Sequence, residues 1–303
     1  MAKKKKGKTD AAADPARERA EAVYVQIMRR LFEERGNGAD SFVWERSELP
    51  TIAGALGVGI PKNLGDNIYS IRSGRADLPE EVQQLAPPGK YWLILPHGRS
   101  VYRCVLANAA FIDPNPLTPV VKVPDATPQI VAAHARGDEQ AVLARVAYTR
   151  LVDLLLGVSA WELQSHMRTT VEAFKKSQVE TDDVYVAVDQ YGAQYVIPIQ
   201  AKGPKKKDRI SAVQIIQDIY LCREKFPTLV CQAVAAKTIN IEDAPDGTKL
   251  HTIALLLLDV DDNFNVSLLR ERHYKLVPAS MISPEELRKY QELARREYAA
   301  SRG

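Results

Sequence analysis

Two short runs of β-branched and aromatic residues, Val184-Tyr185-Val186-Ala187-Val188 and Tyr195-Val196-Ile197-Pro198-Ile199, flank a break that contains Gly192. Alternate residues of a strand share a face, so Val184, Val186 and Val188 form one apolar stripe, and Tyr195, Ile197, Ile199 and Ala201 another. A four-residue loop over 190–193 would set Val184 opposite Ile199 and Val186 opposite Ile197, and the two stripes then match. The same register places Asp183 opposite Gln200, with Lys202 two residues further along that face. A loop longer or shorter by one residue exchanges the faces and brings Asp182 round instead. Both aspartates are therefore candidates, and the simple hairpin favours Asp183.

An acid, an amide and an amine at the outer ends of adjacent strands resemble the PD-(D/E)xK nuclease superfamily, which includes many type II restriction endonucleases. The resemblance covers roughly residues 140–260 and departs from the family at Gln200, where a carboxylate is usual. It implies a restriction-endonuclease-like mixed sheet flanked by helices, and metal-dependent phosphodiester hydrolysis with Mg²⁺, for which Mn²⁺ can substitute. The implied ligands are Asp182 or Asp183, the Gln200 side-chain oxygen and the main-chain carbonyl of Ala201. Lys202 is implied to position the attacking water and to stabilise the charge of the transition state. A glutamine oxygen is a hard-metal ligand without charge, so the compensating carboxylate falls to the second aspartate, Glu180 or Glu172.

The chain has 303 residues, of which 46% are hydrophobic and 26% charged, enough for two ordinary domains. No apolar run approaches the roughly 20 residues of a membrane helix, and the lysine-rich start lacks a signal-like apolar segment. Cys104, Cys222 and Cys231 are scattered without paired spacing, which predicts neither a disulfide framework nor a zinc site and places the protein in the cytoplasm. The net charge of +3 includes Lys3, Lys4, Lys5, Lys6 and Lys8, and without those five it is −2. Affinity for nucleic acid must then come from local patches. Lys205, Lys206, Lys207 and Arg209 form one such patch directly after Lys202.

Helical spacing over residues 13–36 ends at Gly36-Asn37-Gly38. A short helix is expected over Glu48–Leu56, and a third from Pro61 to Gly74. Residues 90–95 and 100–107 read as strands around a Pro96-His97-Gly98-Arg99 turn. Three helices followed by a hairpin predict a winged helix-turn-helix module over residues 13–112, after a disordered basic tail over 1–12. Its third helix would carry Lys62, Asn63, Asn67 and Arg72 to the major groove, with Arg75 and Arg99 on the flanking backbone.

Five prolines between 113 and 130 predict an extended linker, assigned to residues 113–137. A helix is expected over 138–156, stopped at Gly157. Ser159-Ala160-Trp161-Glu162 has the pattern of a capping box opening another helix, which would carry His166, Arg168 and Glu172 toward the hairpin. Residues 210–223 read as a helix bearing Gln214, Gln217 and Asp218, with Gln214 a DNA contact. Residues 229–236 and 252–260 read as buried strands, and Ser283-Pro284-Glu285-Glu286 caps a last helix to about 300. The expected fold class is α/β, or α+β over the whole chain, with the nuclease-like domain at 138–303. The expected function is a restriction-type endonuclease acting on double-stranded DNA, with a homodimer as the arrangement for cutting both strands and without a membrane. The alternatives are a DNA-binding regulator with a decayed nuclease-like domain, and a structure-specific defence or repair nuclease.

Overall fold

The computed structural model describes residues 15–60, 64–72, 76–135 and 138–300. Its architecture is mixed α/β, with a curled mixed sheet flanked by helices.

The first hundred residues run α1 (Pro15–Arg35), β1 (Ser41–Glu45), α2 (Glu48–Leu56), α3 (Leu64–Arg72), α4 (Glu80–Gln83), β2 (Tyr91–Pro96) and β3 (Val101–Ala107). The strands form an antiparallel sheet in the order β1-β3-β2. Ile27, Met28, Leu31 and Phe32 on α1 recur at helical spacing and bury against Trp44, Trp92 and Ile94 on one face of this sheet. Phe32 meets Phe42 and Trp92 edge-on at 5.1 and 5.5 Å. Gly36 ends α1 because a Cβ there would lie 2.8 Å from the Phe32 carbonyl oxygen and 3.1 Å from the Trp92 ring. The other face of the sheet carries Leu93, Leu95, Val105 and Ala107, which are buried in the core of the second half of the chain.

After β4 (Phe111–Ile112) come β5 (Val120–Pro124), α5 (Gln129–His134), α6 (Glu139–Tyr148) and α7 (Leu151–Leu156). Then follow β6 (Ser159–Val171), β7 (Ser177–Val188), β8 (Gln194–Lys202), β9 (Ile210–Ser211) and α8 (Ala212–Lys225). The chain ends with β10 (Val230–Cys231), β11 (Ala233–Asp243), β12 (Lys249–Val260), β13 (Val266–Val277) and α9 (Pro284–Ala300). The large sheet has the order β5-β13-β12-β11-β8-β7-β6, with β10 beside β8. β6, β7 and β8 form an antiparallel meander, and α8 then crosses over to bring β11 parallel to β8. α6 and α7 cover Tyr185, Ile197, Ile199 and Ile253 on one face of the sheet. α8 covers Val184, Val196, Ala235 and Leu256 on the other, where β2 and β3 also pack. Each of these leucines and isoleucines contributes about 1.5–3 kcal/mol through burial.

Four sequence expectations change. Residues 159–171 are a strand, because pairing with β7 satisfies the backbone groups that a capping box would serve, from Ser159 opposite Val188 to Val171 opposite Ser177. The helix expected over 138–156 is two helices, broken where Arg150 adopts φ 55°. Ile210 and Ser211 pair with β4 before α8 begins. The proline-rich stretch is extended, but Val120–Pro124 is hydrogen-bonded to β13 as an edge strand of the large sheet. β1 and β13 had no forecast, and the capping box at Ser283 is present, with Glu286 N–H on Ser283 Oγ at 3.2 Å and Ser283 N–H on Glu286 Oε2 at 2.9 Å.

Candidate functional site

The loop between β7 and β8 decides which aspartate faces the site. Asp189 Oδ1 accepts from the amides of Tyr191 and Ala193 at 2.8 and 2.9 Å, and Tyr195 donates its hydroxyl to Asp189 Oδ2 at 2.9 Å. This closes a five-residue loop, so Val188 pairs with Gln194, Val186 with Val196 and Asp183 with Ile199. The register is one residue from the simple hairpin, and every facing exchanges. Asp183 turns to the α6–α7 side, whereas Asp182 shares the α8 side with Gln200 and Lys202. The geometric preference for Asp183 is thereby corrected in favour of Asp182.

On the α8 side, Asp182 Oδ2 accepts the Ala201 amide at 2.9 Å, which fixes the carboxylate against β8. Lys202 Nζ donates to Glu139 Oε1 at 3.1 Å, from the first turn of α6, where Asp138 caps the Ala141 amide. Gln200 is 1% exposed and neither atom of its amide group is hydrogen-bonded; Asp218 on α8 is also 1% exposed, and neither of its oxygens has a partner. Burial pushes Asp218 well above the ordinary carboxylate range, and the neighbouring charge of Asp182 adds to this; Gln200, Thr181 and Lys202 offset it in part. Asp182 is raised as well, chiefly by burial, with Glu139 adding to the shift and the Ala201 amide and Lys202 opposing it. Asp182 and Glu139 thus face the Lys202 ammonium, while Asp218, whose raised pKa favours its protonated form, lies buried behind them beside Gln200 and Thr181.

Asp182, Lys202 and Glu139 open into a cleft of about 940 Å³. Its walls include Asp182, Lys202 and Glu139, Gln214 and Gln217 of α8, Lys205, Lys207 and Arg209 of the basic loop, and Tyr69 and Arg72 of α3. Arg168 and Glu180 also line it, as a cross-strand ion pair at 3.1 Å; His166 Nδ1 lies 3.6 Å from Glu180. Arg209 is held by Asp77 at 3.1 Å and stacks on the Phe111 ring at 3.6 Å, so it braces the loop as well as lining the cleft.

Several expected residues lie elsewhere. Glu172 pairs with Lys176 at 3.7 Å on the surface, away from the cleft. Arg99 and Lys206 are exposed outside it, Asn67 is half-buried, and Lys62, Asn63 and Arg75 lie outside the described residues. Asp183 is 3% exposed, beside Ser165 on β6 and Tyr185, and burial raises its carboxyl to about 6; Glu162 and Asp182 add to the rise and Ser165 offsets part of it. Sequence reasoning missed Glu139 and Tyr69 and gave Asp218 no role. Glu139 had a local signal, the Asp138 cap, but nothing in the sequence tells that this helix end meets Lys202.

A bound divalent ion can be tested against this chemistry. Among the described residues no three His, Cys, Asp or Glu side chains are arranged to hold one ion. The donors that do fit are Asp182 and the orphaned Gln200 amide oxygen, with buried Asp218 behind them, a hard-oxygen set suited to Mg²⁺ completed by water. Comparison with protein-family models, with curated proteins and with solved structures returns no match.

Proposed function

We propose that the protein is a Mg²⁺-dependent DNA endonuclease of the PD-(D/E)xK kind. The observation that carries this reading is the placement of Asp182, Gln200 and Lys202 on one face of adjacent strands, with Asp182 and Lys202 at the wall of one cleft and Gln200 buried behind it next to Asp218. The topology supports it: the antiparallel meander β6-β7-β8, joined through α8 to the parallel strand β11, belongs to a mixed sheet flanked by helices, which is the fold class the resemblance implies. The order α1-β1-α2-α3-α4-β2-β3, with β3 between β1 and β2, supports a winged-helix reader in front of it.

Asp182 and the Gln200 oxygen would hold the ion, which when bound supplies a polarised phosphate and an acidified water. The Ala201 amide keeps the Asp182 carboxylate aimed. Lys202, oriented by Glu139, orders the attacking water and stabilises negative charge as it grows on the phosphoryl oxygens. Water oxygen bonds to phosphorus and loses its proton to solvent, one ester P–O bond breaks, and the leaving alkoxide takes a proton from solvent. Lys205, Lys206, Lys207 and Gln214 meet the phosphate backbone, with Arg209 bracing them, while Arg72 and Arg99 hold it from the reader side. The duplex is the expected substrate of a restriction-type enzyme, and a homodimer would cut both strands.

Incubation of plasmid DNA with purified protein, with and without Mg²⁺, tests this directly. Discrete fragments that require Mg²⁺ and vanish in Lys202→Ala support a sequence-reading nuclease, and a smear under the same controls supports an unspecific one. DNA that is retarded but intact at every metal concentration overturns the nuclease reading in favour of a DNA-binding regulator.

A further inference from the structure

We infer that His166 is a further catalytic residue of the proposed nuclease, donating a hydrogen bond from its ring N–H to the leaving oxygen of the scissile phosphate. The inference rests on the nuclease reading above and names a group for the half of the reaction that Lys202 does not serve. Backbone strain marks the residue first. Among the described residues, six non-glycine positions have positive φ, and only His166, at 49°, lies inside a strand. A side chain in that region costs stability relative to glycine, and such strain gathers at working sites, where the surrounding structure holds it in place. Ser165 pairs with Asp183 and Met167 with Thr181, so the β6–β7 register sets His166 opposite Asp182.

The ring is also oriented. Gln140 Nε2 lies 3.2 Å from His166 Nε2, and an amide nitrogen only donates, so Nε2 accepts and the ring hydrogen sits on Nδ1. Nδ1 is 3.6 Å from Glu180 Oε1, longer than a hydrogen bond, and that carboxylate already takes Arg168 at 3.1 Å. Gln140 and Glu180 both line the cleft, so the half-exposed imidazole stands at its edge with an N–H to offer. Asp182 on β7 lies between β6 and β8. Lys202 on β8 orders the attacking water, and attack and departure are in line through phosphorus. The leaving oxygen therefore lies toward the β6 flank, where Arg168 is held by Glu180 and His166 presents its donor. As the ester P–O bond breaks, negative charge grows on that oxygen and the Nδ1–H stabilises it. The alkoxide still takes its proton from solvent, and the ring keeps its own.

The test compares leaving groups. Once the position of cleavage in DNA is mapped, an oligonucleotide with the ordinary oxygen ester there and its counterpart with sulfur in the bridging leaving position are cut in Mg²⁺ by wild type, His166→Gly and His166→Ala. A thiolate leaves as a weaker base and accepts hydrogen bonds poorly, so it gains little from a donor. The expected result is a loss of about tenfold or more on the oxygen ester in both variants, against less than about threefold on the sulfur ester. His166→Gly is also expected to melt no lower than wild type, because glycine adopts φ 49° without strain. Wild-type rates on the oxygen ester overturn the inference. An equal loss on both esters, or a lower melting temperature in His166→Gly, overturns it too, since either marks a structural residue. If wild type yields no cut to map, the nuclease reading fails and the inference with it; if wild type cuts and both variants match it, only the inference fails.

Discussion

Asp182 and Asp183 are adjacent in sequence and lie in opposite environments. Asp182 is half-buried at the wall of a charged cleft, where the Ala201 amide and Lys202 oppose the effect of burial. Asp183 is nearly sealed on the α6–α7 side, next to Tyr185, Ile197 and Ile199, and Oδ1 has no hydrogen-bond partner. A carboxylate can work on a substrate only where its charge is balanced and reachable. One step along a strand decides which of two chemically identical groups meets that condition.

The largest expected effect lies on the open face. Lys202→Ala should reduce the cleavage rate by about 10²–10³-fold while DNA binding in EDTA stays within a few-fold, because the lost ammonium acts mainly on transition-state charge. Asp182→Asn should fall by a similar factor. Retention of wild-type rates in both would erase the distinction between the faces. Cleavage should also decline as pH falls through the raised pKa of Asp182, since protonation removes the charge that a metal needs.

Gln200→Glu should remain active and reach half-maximal rate at lower Mg²⁺, since a second charge joins the site. A folded but inactive Gln200→Glu would mean that, next to buried Asp218, the site tolerates only a neutral ligand.

The closed face should respond in stability rather than in rate. With a folded pKa raised to about 6, well above the ordinary aspartate value, the native state binds the Asp183 proton more tightly than the unfolded chain does. Stability from this group is therefore complete below about pH 4 and is lost as pH rises through about 6, by about 3 kcal/mol in all. Asp183→Asn should leave cleavage within about threefold, raise the melting temperature at pH 8, and change it little at pH 4. Loss of cleavage in a stable Asp183→Asn protein would return the catalytic role to the residue that the simple hairpin preferred.

Much of this was legible in the sequence, and the failures have physical causes. Local patterns foretold α1, α2, the β2–β3 hairpin, β7, β8, α8 and the capped α9, because each carries its own periodicity or cap. The register of β7 against β8 was not legible, because one side chain, Asp189, closes a five-residue loop where four residues had been expected. β6 was misread because a capping-box pattern costs nothing inside a strand whose backbone is paired elsewhere. β5 and β13 lie more than 140 residues apart and define each other only in three dimensions. Gln200 and Lys202 were placed on one face from their order alone, with Asp182 kept as the alternative to Asp183; the nearness of Glu139 required the fold.

The packing of β2 and β3 against α8 bears on how such a protein could change its specificity. A reader held by a tether can be exchanged by recombination, leaving the cutting machinery intact. Here a break near residue 112 would strip Leu93, Leu95 and Val105 from their common core with α8, a loss of roughly 5–9 kcal/mol, on the scale of a whole domain's stability. Under the proposed function, a grafted foreign reader would unfold the recipient before it could redirect it, and new preferences would arise by substitution within the existing interface.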